Sequence, residues 1–171
     1  MIDPKRHSEH RGGIESVLRS IPGFRGYLEK DYRQESDHLL RQWMADRLQR
    51  SKRPLDAAMT ALIEAGRIDQ LTAWERLKNR LDALILRFRG AVRGYSGFFD
   101  FVRVNEDLLD QVYQHDQLLA QGVDKLAAAI EQTAGGGDVS ETTVRQWLGQ
   151  AEELDRAFTK RGEMLNGLSS S

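Results

Sequence analysis

The stretch WERLKNRLDALILRFRGAVRGY, residues 74–95, decides how this chain folds. Trp74, Leu77, Leu81, Leu84, Phe88, Ala91 and Tyr95 alternate spacings of three and four. That alternation keeps one apolar seam on a single helix face through three heptads, which suits helices packed side by side with interlocking side chains. A half-buried strand would alternate every second residue, and this stretch does not.

The same rhythm returns downstream. Phe101, Val104, Leu108, Val112, His115, Leu119, Gly122, Leu126 and Ala129 predict a helix over about 101–134. After the loop AGGGD (134–138), Asp138 or Ser140 can cap another helix. Glu141, three residues after Asp138, completes a capping box. That last helix carries Val144, Trp147/Leu148, Ala151, Leu154, Phe158, Arg161, Leu165 and Leu168. Upstream, Tyr27/Leu28, Tyr32, Leu39, Trp43 and Leu48, widened by Leu40 and Met44, predict a helix over about 24–51. Pro54 is expected to break or restart it, because proline lacks the amide donor and clashes with the preceding turn. A shorter helix follows over 54–65, closed by Gly66.

Composition agrees with an all-helical chain. Leu, Ala, Arg, Glu, Gln and Asp dominate, and prolines occur only at 4, 22 and 54. Charged residues make up 30% of the 171, yet the formal net charge is −1, which points to no bulk polyanion as partner. The absence of cysteine excludes disulfides, a thiol nucleophile and thiolate zinc sites. No run of about eighteen apolar residues is present, and the opening MIDPKRHSEHRGG lacks the apolar middle of a signal peptide. A cytoplasmic location is the expectation.

The expected architecture is an elongated antiparallel bundle of four long helices with coiled-coil-like packing and one or two short extra helices. Residues 1–12 read as a disordered tail, 13–168 as one helical-bundle domain and 169–171 as a frayed end. The helix over 69–93 is basic and the one over 101–134 acidic. Short connections make successive helices neighbours, so these two are expected to pair.

Candidate sites are few. In RGYSGFFDF (93–101), Gly94 and Gly97 can end a helix and Asp100 can cap the next. Tyr95, Phe98, Phe99 and Phe101 cluster there. Adjacent turn residues diverge, so one of Phe98 and Phe99 is expected to face solvent. The cluster is either a structural corner alone, its phenylalanines closing the end of the bundle, or a corner whose exposed aromatic beside glycines is also a docking point, with Arg87 and Arg93 at its rim. Glu35 and His38, three apart on a helix, form half of the motif of di-iron bundles; Asp110 and His115 would have to complete it. Against this, no Glu precedes His115 by three, and Val112 stands there. His115 on an apolar seam is equally a hydrogen-bonded core histidine. No catalytic frame is legible, and GGGD lacks the Lys-Ser/Thr of a phosphate loop. Acidic residues interleave the arginines, which argues against nucleic acid.

GFRGYLEKDYRQESDHLLR (23–41) and RGYSGFFDFVRVNEDLLDQVYQHD (93–116) resemble an uncharacterised prokaryotic all-helical family. Its marks are a Gly-Tyr-x-x-Lys opening helix and a Gly-Tyr-x-Gly-x-Phe-Asp corner. The matching positions are Gly26, Tyr27 and Lys30, then Gly94, Tyr95, Gly97, Phe99 and Asp100. The resemblance spans about residues 20–130 and leaves 135–171 outside. It implies a link to membrane-stress systems of the SPFH and phage-shock type, hence an accessory role near a membrane complex. The expected function is a non-enzymatic protein–protein interaction or adaptor bundle, without cofactor or small-molecule substrate. Its partner is another protein or a second copy, with peripheral membrane contact implied by the resemblance. The alternative is a carboxylate/His metal-binding bundle.

Overall fold

The computed structural model describes residues 15–90, 106–134 and 138–169, helical apart from turns and short irregular connections. The elements are α1 (Glu15–Arg19), α2 (Arg33–Glu64), α3 (Leu71–Gly90), α4 (Glu106–Ala134) and α5 (Glu141–Ser169). Single 3₁₀ turns precede α2 and α3. Among the described residues the chain is an all-α bundle of four long helices and one short one, an all-α class that the periodicity predicts. No described helix is long and apolar enough to cross a membrane.

The seam read from residues 74–88 is the buried face of α3: Trp74, Leu77, Leu81, Leu84 and Phe88 are all in the core, joined by Ile85. Two edge-to-face aromatic pairs fasten it to α5. Trp74 meets Trp147 at 6.3 Å and Phe88 meets Phe158 at 4.9 Å between ring centroids. Side chains of this size, fully buried, each contribute roughly 1.5–3 kcal/mol, so the apolar seam dominates the bundle's stability.

Helix directions follow from which residues meet. Asp56 pairs with Lys78 and Asp46 with Arg89, so α2 and α3 are antiparallel. Asp116 pairs with Arg161 and Gly122 abuts Leu154, so α4 and α5 are antiparallel. Trp74 with Trp147 and Phe88 with Phe158 make α3 and α5 parallel. Arg47 reaches Asp124 and Glu131, while Leu62 and Ala134 line one cavity beyond, so α2 and α4 are parallel.

Each long helix has two such neighbours, and α3 and α4 lie on a diagonal. This corrects the expectation that basic α3 pairs with acidic α4. The cations of α3 reach α2 and α5 instead, and the acids of α4 reach Arg47 of α2. Exposed pairs are each worth well under about 1 kcal/mol, too little to choose a neighbour against the apolar seams. The fifteen residues from 91 to 105 are ample for a diagonal crossing, at about 3.3 Å per extended residue.

Two further expectations change. Pro54 does not break the helix; α2 runs unbroken from Arg33 to Glu64. Only the amide bond to Arg50 is lost, while fully buried Ser51 and Leu55 on either side hold the helix in the core. Helix α2 also starts at Arg33, not Phe24, because Gly23 and Gly26 have φ of 81° and 76°. At its far end Gly66, φ 71°, forms a Schellman cap. The Arg67 amide donates to Leu62 O at 2.9 Å and the Gly66 amide to Ile63 O at 3.0 Å.

Candidate functional site

Tyr95, Phe98, Phe99 and Arg93 lie outside the described residues. Arg87 is engaged across the α3–α5 seam. Its guanidinium pairs with Asp155, donates to Thr159 Oγ1 at 3.1 Å, and stands 5.2 Å over the Phe158 ring. It ties two helices together.

The candidate metal ligands do not converge. Glu35, His38 and Asp110 are exposed. His115 is half-buried, and its Nε2–H donates to Ala157 O at 2.7 Å. A carbonyl can only accept, so that nitrogen carries the proton. Among the described residues no three of His, Asp and Glu gather as a metal-binding group.

What the fold does gather is a buried polar cluster near the end of the bundle where α2 and α4 begin. Asp37 and Arg41 come from α2, Asp116 from α4, Arg161 from α5 and Tyr27 from the turn before α2. All five are at most 3% exposed. Arg161 spans the cluster. Its Nε donates to Asp116 Oδ1 at 2.7 Å, and one Nη donates to Asp37 Oδ1 at 2.5 Å and to Asp116 Oδ2 at 3.1 Å. The Tyr27 hydroxyl donates to Asp116 Oδ2. Arg41 Nε donates to Asp37 Oδ2 at 3.0 Å, and its Nη1 donates to Phe88 O on α3 at 3.0 Å. Four helices and one turn thus meet through a single network.

Its charges cancel, two carboxylates against two guanidiniums. Burial works against the charge on Arg161, but Asp116 and Asp37 outweigh it and hold its pKa well above the usual value. Burial pushes the Tyr27 pKa well above 10, and Asp116 beside it adds to the effect, so the phenol stays protonated. Arg33 stands alongside, donating to Tyr27 O at 2.5 Å and Leu28 O at 3.2 Å; burial lowers its pKa. Phe24, Tyr27 and Tyr113 close over this end, with centroids 5.9–6.5 Å apart. Both carboxylates here are bonded to guanidiniums, so the arrangement ties the helices together.

The cluster could be sensed in part from sequence. Arg33, Asp37 and Arg41 recur every four residues on the same face as Leu40, Met44 and Leu48. Arg161 stands on the predicted seam of the last helix. Asp116 was missed because alternate seam positions of α4 shift by one residue: Val112, Leu119 and Leu126 are buried as expected, but Asp116, Val123 and Ile130 are buried where His115, Gly122 and Ala129 are expected.

The second feature is on the surface. Ion pairs close three of the four seams. Lys52–Asp82, Lys78–Asp56 and Arg89–Asp46 close α2–α3. Arg80 and Arg87 with Asp155 close α3–α5. Arg47 with Asp124 and Glu131 closes α2–α4, on which α1 also packs through α4. The α4–α5 seam has no surface ion pair among the described residues. It holds an apolar groove of about 490 Å³ lined by Leu119, Leu154, Ala129 and Ala157. Leu118 stands 58% exposed on its bank. Gly122 makes the groove narrow at its base, since a Cβ there would come within 2.8 Å of Leu154 Cδ2.

No family model, no curated protein sequence and no solved structure matches the chain.

Proposed function

We propose that the protein is a non-enzymatic interaction module, a helical bundle that works by presenting a helix-pair surface to a protein partner. The observation that carries this reading is the open α4–α5 seam, apolar and flanked by exposed Leu118, where the other three seams are closed by charge. Charge depletion at the centre of a patch, with apolar anchors, is the compositional mark of an interface. Grooves between helices take up an apolar helix face through anchors one turn apart. The closed, charge-balanced cluster around Arg161 supports the same reading, since a rigid bundle presents its surface without an ordering penalty on binding. Tyr95, Phe98 and Phe99, with Arg93 and Arg87, are in this proposal a second docking element. The resemblance adds that the partner belongs to a membrane-linked complex.

Site-specific photocrosslinking in cells tests this. A benzophenone side chain is placed at Leu118, at Phe98 and, as a control, at Leu86, which is 70% exposed on α3. Discrete protein adducts at Leu118 or Phe98, and none at Leu86, are expected. Their absence at both positions would remove the reading. Stoichiometric iron or manganese in the purified protein, lost on Glu35→Ala, would replace it with a metal-binding bundle using Glu35, His38, Asp110 and His115.

A further inference from the structure

We propose that the occupant of the α4–α5 groove is the same groove of a second copy, in a parallel dimer with its two-fold axis along the seam. The inference rests on the interaction-module reading and names its partner.

The first argument is charge. Apart from Lys125 and Glu153, no Asp, Glu, Lys or Arg lines the groove. These two stand on opposite banks, Lys125 on α4 and Glu153 on α5, both exposed and neither in an ion pair among the described residues. Leu154 lies level with Gly122 across the seam, so Glu153 and Lys125 are within about one helical turn, 5.4 Å, along the axis. A two-fold rotation about the seam preserves height and brings α4 of one copy opposite α5 of the other. Lys125 then faces the other copy's Glu153, twice over, within the reach of a lysine side chain. A partner of uniform charge would leave one bank repelled.

Shape agrees. Leu118 lies on α4 between His115, which bonds Ala157 O, and Gly122, which abuts Leu154. Leu118 is four residues, about 6 Å, from Gly122, so the same rotation sets it over the other copy's α5 just beyond Ala157, where that small side chain leaves room. Each copy donates one leucine and receives one, as an isologous contact requires. Size agrees as well. Helices of 29 residues run about 43 Å at 1.5 Å per residue, and two side by side are about 20 Å wide. That strip supplies on the order of 800 Å² per copy, the standard area of a specific interface.

The test is light scattering after gel filtration of the full chain across a concentration series, joined to the Leu118 crosslink in cells. Wild type is expected as a dimer. Leu118→Glu, shown folded by circular dichroism and thermal melting, is expected to raise the dissociation constant by about 30-fold or more, as loss of a buried anchor does. Lys125→Glu and Glu153→Lys are each expected to weaken the dimer, and the double variant to restore it. That reciprocal rescue is something a merely structural role would not give. A crosslinked adduct of twice the chain mass supports the proposal. An adduct with a different protein alone would overturn the second copy while leaving the interaction module standing. A monomer at every concentration, or a dimer indifferent to all four variants, would overturn the proposal.

Discussion

Arg161 and Asp116 face each other across the α4–α5 seam, Nε to Oδ1 at 2.7 Å, one 1% and the other 0% exposed. Neither would be stable in the core alone. Together with Asp37, Arg41 and Tyr27 they convert four helices that only share apolar seams into one fixed register. Apolar packing tolerates small slides; a bifurcated guanidinium contact does not.

Arg161→Met should therefore destabilise the protein by about 3–5 kcal/mol, because it leaves Asp116 buried without a cation and Asp37 with Arg41 alone. Arg145→Ala, which breaks the exposed i,i+4 pair with Glu141, should cost no more than about 0.5 kcal/mol. Urea denaturation of both variants checks the contrast. Equal small losses would mean that the buried network does not hold the bundle.

The Tyr27 pKa is raised above its unfolded value of 10.0, with burial the first cause and Asp116 the next. The folded state then binds the phenolic proton more tightly than the unfolded state. Its contribution is fully present below pH about 10 and is lost as pH rises above it. Denaturation midpoints from pH 8 to 11 should fall more steeply for wild type than for Tyr27→Phe. Parallel curves would exclude a buried, acid-bonded phenol at this position.

Gly66→Ala should cost about 1 kcal/mol or somewhat more. The φ of 71° penalises any Cβ, although no atom lies within 4 Å of where the Cβ would be. Thermal melts report it. An unchanged midpoint would show that the Schellman turn can rearrange freely.

Pro54→Ala should stabilise α2 by about 1–3 kcal/mol, because it restores the amide donor to Arg50 O inside a continuous helix. A lower midpoint instead would mean that neighbouring packing depends on the proline ring.

Much of the fold was legible in residues 74–88, where the five seam positions read from spacing are all buried, with Ile85 beside them. Period and composition determined the long amphipathic segments and the all-α class, because a strong local pattern needs no knowledge of the rest of the chain. Three matters were decided only in the folded molecule. The diagonal placement of α3 and α4 depends on how four apolar stripes share one core, and surface charge is too weak to dictate it. The phase of α4 depends on Arg161 arriving from forty-five residues away, since Asp116 can face inward only when a cation meets it there. The open α4–α5 groove, and with it the candidate interface, exists because Gly122, Ala129 and Ala157 come together on one seam. Local spacing can mark each residue as small, but not that they are neighbours.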